Sequence, residues 1–535
     1  MPRNSRGCKL RMEKIFLYDT TLRDGAQSER ISFSLEDKLR IAQRLDDFGI
    51  DYIEGGWPGS NPKDLNFFKG IKEVPLNHSK IAAFGSTRRA QVAPEDDANL
   101  KALLESDTPV VTIFGKSWNF HVTEVLRTTL ENNLKMIYDS IKYLKSHNKE
   151  IIYDAEHFFD GFKADPEYAL STLDAACEGG ADCIVLADTN GGSLPWEITD
   201  IIKKVKERIK IPLGIHTHND SGLAVANTIV AVQEGAIHIQ GTMNGYGERC
   251  GNANLCTIIP ILSLKMGLEI ISDEKLAQLT DLSHWISEIA NLPPDPSMPF
   301  VGRSAFAHKG GVHVNAILKN QKSYEHIDPT KVGNKRRILV SELSGTSTIV
   351  SKAKELNINL DRDSSLAKLI LDKVNVLENE GYYFEGAEAS FELLIRHLLG
   401  EETKLFDLIG LRVIVEKIGE EGETTTEATL KLKIKDNIVH VAAEGNGPVN
   451  ALDEALRKAL IEFYPDLKNI HLSDFKVRVL NGNSGTAAKV RVLIDSANAD
   501  GDTWSTVGVS PNIIEASWEA LVQSIEYGIL KRREV

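Results

Sequence analysis

The chain predicts an α/β protein whose first half closes into a (β/α)8 barrel, the TIM-barrel architecture. Short apolar runs at 15–18, 52–54, 81–84, 110–114, 151–153, 183–186, 213–218 and 237–241 make eight candidate strands. Amphipathic stretches separate them, and the pattern fills roughly the 250 residues that such a barrel needs. The conspicuous polar residues fall just past the ends of the runs, at the rim where these barrels carry active sites.

Taken in order, the first run leads into Asp19-Thr20-Thr21-Leu22-Arg23-Asp24-Gly25, with Gly25 expected to permit a tight turn. A helix follows over 35–48, where Leu35, Leu39, Ile41, Ala42, Leu45 and Phe48 form one stripe and Ser34 can cap the start. Glu54 closes the second run, ahead of Gly55-Gly56-Trp57-Pro58-Gly59-Ser60. Further helices are expected over 122–147, 166–177, 195–206 and 224–233.

Glu156, within Asp154-Ala155-Glu156-His157, lies past the fifth run, and Asp188 and Thr189 lie past the sixth. The seventh contains His216 and His218. Strand alternation turns both to one face about two residue rises apart, a spacing that lets both reach one metal ion. Two buried, hydrogen-bonded histidines give the same pattern. The eighth leads into Asn244 and Gly245-Tyr246-Gly247-Glu248-Arg249-Cys250-Gly251-Asn252.

Residues 1–12 read as a polar, basic and disordered lead-in, with Met12 an alternative start, and 13–290 as the barrel. Proline-dense 291–299 opens a linker and mainly helical subdomain, 291–404, which carries His308, His313, Tyr324 and the basic cluster Lys331, Lys335, Arg336 and Arg337. In 405–535, Gly445-Asn446-Gly447-Pro448 and the helical 451–460 resemble Gly508-Val509-Ser510-Pro511 and 514–525. That predicts a C-terminal α+β domain with a two-fold internal repeat of strand-strand-strand-helix. Its helix N-termini suit an anion such as a carboxylate, hence a small-ligand sensor, although a purely architectural duplication reads the same way.

A net charge of -14 argues against a broad phosphate-neutralising face for nucleic acid and leaves room for local basic patches. No apolar run approaches the roughly 18 residues of a membrane span. Five cysteines, an odd number without a repeated Cys-x-x-Cys, indicate neither a disulfide framework nor structural zinc and suit the reduced thiols of a cytoplasmic protein.

Asp19 to Gly25, His216-Thr217-His218-Asn219-Asp220 and Gly245 to Asn252, in this order at these strand ends, resemble the signature of the isopropylmalate synthase, homocitrate synthase and citramalate synthase family. That family lies within the metal-dependent barrels that include hydroxymethylglutaryl-CoA lyase, and the resemblance covers nearly the whole chain. It implies a divalent metal (magnesium, manganese, cobalt or zinc) bound by Asp24, His216 and His218, with Asn252 as a further direct or water-linked ligand. It also implies a Claisen condensation of a 2-oxo acid with acetyl-CoA, in which Arg23 meets the developing alkoxide and Thr189 the carboxylate. Glu156 or His313, the latter partnered by Tyr324, would move the proton. In the family, the region of His313 and Tyr324 reaches over a neighbouring subunit's barrel, so a homodimer is expected. The basic cluster at 331–337 is a candidate for the CoA phosphates.

Glu54 to Asp64, Tyr153 to Lys163 and Tyr382 to Leu394 resemble the citramalate synthase branch in particular. That branch implies pyruvate as acceptor, citramalate as product on the pyruvate route to 2-oxobutanoate and isoleucine, and isoleucine as feedback inhibitor at the C-terminal domain. Trp57 stands where the family more usually has a smaller or phenylalanine-type residue, and an indole there favours a methyl side chain. The alternatives are 2-isopropylmalate synthase, with 2-oxoisovalerate, and homocitrate synthase. A non-catalytic sensor on a degenerate barrel would be expected to lose one of Arg23, Asp24, His216, His218 or Asn252, and a biotin-dependent carboxyltransferase would need a biotin attachment segment that is not evident.

Overall fold

The computed structural model describes residues 14–339, 349–350, 353–354, 360, 365–417, 419–420, 423–480, 485, 487–499 and 501–534. The expected lead-in over 1–12 lies outside them. The chain forms two compact units, one running to Phe306 and taking in Ile327–Lys335, the other comprising Ala307–His326 and the chain from Arg336.

In the first unit, β1 (Phe16–Asp19), β2 (Tyr52–Gly56), β3 (Lys80–Ser86), β4 (Val110–Lys116), β5 (Glu150–Glu156), β6 (Cys183–Asp188), β7 (Leu213–Thr217) and β8 (His238–Gly241) close a barrel in sequence order. Neighbours are parallel, and β8 pairs back onto β1 through Phe16 opposite His238. A strand whose faces are both covered, by barrel core and by helices, reads as a continuous apolar run, which is why eight runs gave eight strands. Around them lie α1 (Leu35–Phe48), α2 (Pro62–Gly70), α3 (Ala98–Glu105), α4 (Leu130–Ser146), α5 (Phe158–Ala164), α6 (Pro166–Gly179), α7 (Pro195–Arg208) and α8 (Ala224–Gln233).

The start of α1 is fixed by reciprocal capping. Ser34 Oγ accepts the Asp37 N–H at 3.1 Å, and the Asp37 carboxylate accepts the Ser34 N–H at 2.8 Å. Ile41, Ala42, Leu45 and Phe48 are buried beneath it. The single helix expected over 122–147 is broken. His121–Leu126 makes a π-helical turn, Arg127 takes φ 54°, and Thr129 accepts the Asn132 N–H to begin α4 afresh. The short α2, α3 and α5 escaped the sequence reading because seven to nine residues give little periodicity. Proline-dense 291–299 stays within the barrel's unit.

The second unit carries Gly311–Lys319, Ser365–Glu380 and Glu388–Leu398 as helices, followed by the duplicated domain. Strands Asp407–Lys417, Thr424–Ile434 and Asn437–Gly445 form one antiparallel sheet and precede the helix Pro448–Leu460. Ile470–Val479, Val490–Asn498 and Thr503–Ser510 form another and precede the helix Ile513–Glu534. The expected repeat of three strands and a helix is therefore present twice. Ala428, Leu430, Leu432 and Ile434 alternate into the core, where they meet Ala451, Leu452, Ala455, Leu456, Ala459 and Leu460 at helical spacing.

Within this core Glu526 accepts the Leu405 N–H at 3.2 Å, and burial pushes its carboxyl from the ordinary 4.5 up to about 7. A native pKa above the unfolded one means that the folded state holds this proton more tightly, so stability falls as pH rises from about 4.5 to about 7. Glu526→Gln keeps the acceptor and removes the penalty. It should stabilise the domain by about 2 kcal/mol more at pH 8 than at pH 5, as read by denaturant unfolding; an equal effect at both pH values would refute the assignment.

Candidate active site

The turn after β1 is built on one carbonyl. Thr20 O accepts the N–H groups of Arg23, Asp24 and Gly25 at 3.2, 2.9 and 3.0 Å, which drops both charged side chains into the barrel mouth. Gly25 is not what permits this turn. An added Cβ there would find no atom nearer than 3.5 Å, and its φ is not positive. Asp19 and Asp188, conspicuous in the sequence, are turn staples: Asp19 binds the Thr21 N–H and hydroxyl, and Asp188 those of Ser193.

Asp24 Oδ2 lies 3.3 Å from His216 Nε2, which lies 3.3 Å from His218 Nε2. All three residues are buried, and their donor atoms lie within 4.8 Å of one another. Although burial pushes the Asp24 carboxyl up, the Arg23 charge and the contact with His216 hold it well below the usual range. Burial, then the charge of His216, push the His218 imidazole down to about 3. A neutral imidazole and an ionised carboxylate are the forms that ligate a cation.

The orientation of His216 is set from behind. Gln240 Oε1 accepts from its Nδ1 at 2.8 Å, which turns Nε2 toward the other two ligating atoms, and Gln240 Nε2 donates to Asp154 Oδ1 at 3.1 Å. A fourth candidate ligand atom, an amide oxygen, comes from Asn252. Asn252 is joined to His218 by a backbone bridge, and its buried Oδ1 has no hydrogen-bond partner. Gly247, at φ 154°, makes room for it, since a Cβ there would come within 2.5 Å of Asn252 Nδ2. Two imidazoles, a carboxylate and an orphaned amide oxygen are a donor set that fits a divalent cation.

Arg23 is clamped beside this cluster. Its Nε donates to Glu54 Oε1 at 2.5 Å, its Nη1 lies 3.3 Å from Asp24 Oδ2, and its guanidinium sits 3.8 Å over the Phe84 ring. Glu54 is fully buried and also accepts the Tyr18 hydroxyl at 2.6 Å. Phe84 and Phe114 stack at 5.3 Å, and Trp57 meets both edge-on at 5.9 and 5.6 Å. Arg23, Asp24, Trp57, Glu156, Thr189, His216 and His218, all singled out from sequence, line one cavity of about 210 Å³.

Thr189 Oγ1 accepts the His157 N–H at 2.9 Å, so the hydroxyl's own proton is left to donate elsewhere. Glu156 is ion-paired with Lys116. Arg249 also lines the cavity and is held by Asp220 at 2.7 and 2.9 Å and by the Thr189 carbonyl at 2.7 Å. His313 and Tyr324 belong to the second unit, where their rings stack at 4.2 Å. The basic cluster is not a run of uncommitted cations, because Arg336 is bound to Glu325 and Arg337 to Glu388.

The sequence reading gave no role to Gln240, Phe84, Phe114 or Lys116. The signal for Gln240 was a lone amide at the fourth position of the eighth run, Ile237-His238-Ile239-Gln240-Gly241. Replacing it with leucine should remove the support behind His216 and weaken divalent-metal affinity about 10- to 100-fold. Titrating the stripped protein with metal tests this, and an unchanged Kd would rule out the support role.

Three family models match in succession: HMGL-like over residues 14–286, the homocitrate synthase post-HMGL domain-like family over 300–380, and the LeuA allosteric (dimerisation) domain over 385–529. The (R)-citramalate synthase of Geobacter sulfurreducens is 57% identical over 98% of this chain and 99% of its own length. That of Aquifex aeolicus is 56% identical over 98% and 99%. The 2-isopropylmalate synthase of Methanocaldococcus jannaschii is more distant, at 30% identity over 98% of this chain and 96% of its own. With the HMGL-like barrel, both following domains and this identity along nearly its whole length, the chain belongs to the (R)-citramalate synthase family.

Proposed function

We propose that the chain condenses pyruvate with acetyl-CoA and hydrolyses the thioester to give (R)-citramalate and CoA, on the pyruvate route to 2-oxobutanoate and isoleucine. The observation that carries this reading is the Asp24, His216 and His218 donor set beside Arg23 in a cavity of about 210 Å³ with three aromatic rings on its wall. The space is below the roughly 300 Å³ at which drug-sized pockets begin, which suits a very small acceptor.

A divalent ion (magnesium, manganese, cobalt or zinc) held by Asp24, His216 and His218, with Asn252 as a further direct or water-linked ligand, would supply Lewis-acid polarisation of the keto group. Arg23, oriented by Glu54, brings positive charge to the oxygen that becomes an alkoxide. The Thr189 hydroxyl donates to the pyruvate carboxylate. Glu156 takes a proton from the acetyl methyl, the resulting carbanion equivalent attacks the keto carbon, and the alkoxide is protonated. Water then cleaves the thioester, leaving the citramalate carboxylate and the CoA thiol. His313, with Tyr324 stacked on it, is the other candidate for the proton transfer.

The C-terminal domain is proposed to join two copies into a homodimer and to bind isoleucine as feedback inhibitor. Leu408, Ile414, Ile438, Val477 and Val479 are exposed on its strands, the kind of apolar face that a second copy would cover. The four cysteines among the described residues are free thiols, in keeping with a proposed cytoplasmic setting.

After metal stripping and readdition, CoA release should depend on the metal, run best with pyruvate, and fall with added isoleucine but not leucine. Equal or faster turnover with 2-oxoisovalerate would overturn the substrate assignment in favour of 2-isopropylmalate synthesis, and indifference to isoleucine would remove the effector. Glu156→Gln should lower kcat by at least about 100-fold with little change in the pyruvate KM. Wild-type turnover in that variant would pass the proton-transfer role to His313.

A further inference from the structure

The indole of Trp57 stands in the cavity wall, and contacts from outside the cavity fix where it stands. The backbone N–H of Trp57 donates to Asp64 Oδ2 at 2.9 Å, and its backbone carbonyl accepts the Ser60 N–H at 3.0 Å and hydroxyl at 2.9 Å. Asp64 in turn is ion-paired with the buried Lys38 of α1, which also donates to Gly55 O at 3.2 Å. These bonds hold the backbone of residue 57. The ring is held by Asn99, near the start of α3, whose Oδ1 accepts the indole Nε1–H at 2.7 Å.

The amide of Asn99 can face only one way. Its Nδ2 donates to Ser86 O, at the end of β3, at 2.6 Å. An indole N–H only donates and a carbonyl only accepts, so the bridge requires one group that does each at this separation. On the β3 side the bridge is closely packed. A Cβ at Gly85 would come 2.9 Å from both Asn99 Oδ1 and Leu103 Cδ1. Asn99 itself is fixed by Asp97, whose Oδ1 accepts the Asn99 N–H at 2.9 Å.

We infer that Asn99 is a specificity-determining positioning residue: by holding the Trp57 ring edge-on against Phe84 and Phe114, it sets the volume left for the side chain of the 2-oxo acid. This rests on the proposed role of Trp57 as part of the acceptor pocket. Without the bridge the ring keeps its backbone anchors but loses the one that fixes its side-chain rotamer, and the wall yields to longer acceptors.

The test is a cycle of Asn99→Ala, Trp57→Phe and the double variant, assayed with pyruvate and with the one-carbon-longer 2-oxobutanoate. Each protein is also prepared with 5-fluorotryptophan, whose six indoles are followed by fluorine NMR, the Trp57 line being the one lost in Trp57→Phe. Asn99→Ala should shift the Trp57 line and raise the 2-oxobutanoate to pyruvate ratio of kcat/KM about tenfold, chiefly through the 2-oxobutanoate KM. In the Trp57→Phe background the same change should move the ratio less than about twofold.

An unmoved Trp57 line, a ratio unchanged although the line moves, or an equal shift of the ratio in both backgrounds would each overturn the inference. If instead Trp57→Phe alone leaves the ratio as it was, it is the reading of Trp57 as part of the pocket that fails.

Discussion

Two imidazole nitrogens, His216 Nε2 and His218 Nε2, face each other at 3.3 Å with the Asp24 carboxylate at the same distance from the first, and the barrel rim is organised to keep them there. Two imidazoles this close in a dry environment are costly to charge together, and a buried carboxylate is costly without a positive partner. The arrangement persists only where the surroundings over-determine it. Gln240 fixes one ring, the bridge to Asn252 ties the strand of the other, and the three N–H groups gathered on Thr20 O place the carboxylate. Arg23 supplies positive charge beside them, its Nη1 3.3 Å from the same Asp24 Oδ2 while Glu54 holds its Nε.

Much of this was readable from residue order. Strand count, the positions of the histidines and the rim placement of Arg23, Asp24, Glu156 and Thr189 follow from apolar runs and their polar ends. Contacts that join distant strands were not readable. Gln240 matters because it bridges His216 and Asp154, and no local pattern tells a structural amide from a supporting one. The same limit made Asp19 and Asp188 stand out although they only staple turns. The break at Arg127 went unseen because the apolar spacing runs through it while Thr129 quietly supplies a second helix start.

The C-terminal half was legible for a different reason. Two glycine- and proline-marked helix starts, each after alternating strands, announce a duplication that no single segment would. What the repeated residues did not disclose is which side chains stay uncovered. That depends on which face of each sheet its helix packs against, and here it leaves Leu408, Ile414 and Ile438 outside. Nor did the cationic run at 331–337 reveal that two of its members already sit on carboxylates.

The bond between the Trp57 indole and Asn99 bears on how such an enzyme diverges. A residue that lines a pocket is hard to change by small steps, since each substitution alters size, polarity and reactivity together. An anchor one layer out is a gentler point of adjustment: an exchange on α3 alters how firmly the wall stands while every group facing the reactants is retained. Lineages descending from this architecture therefore have a route to new acceptors that passes through helix residues with no contact to any ligand, and comparisons confined to pocket-lining positions would overlook it.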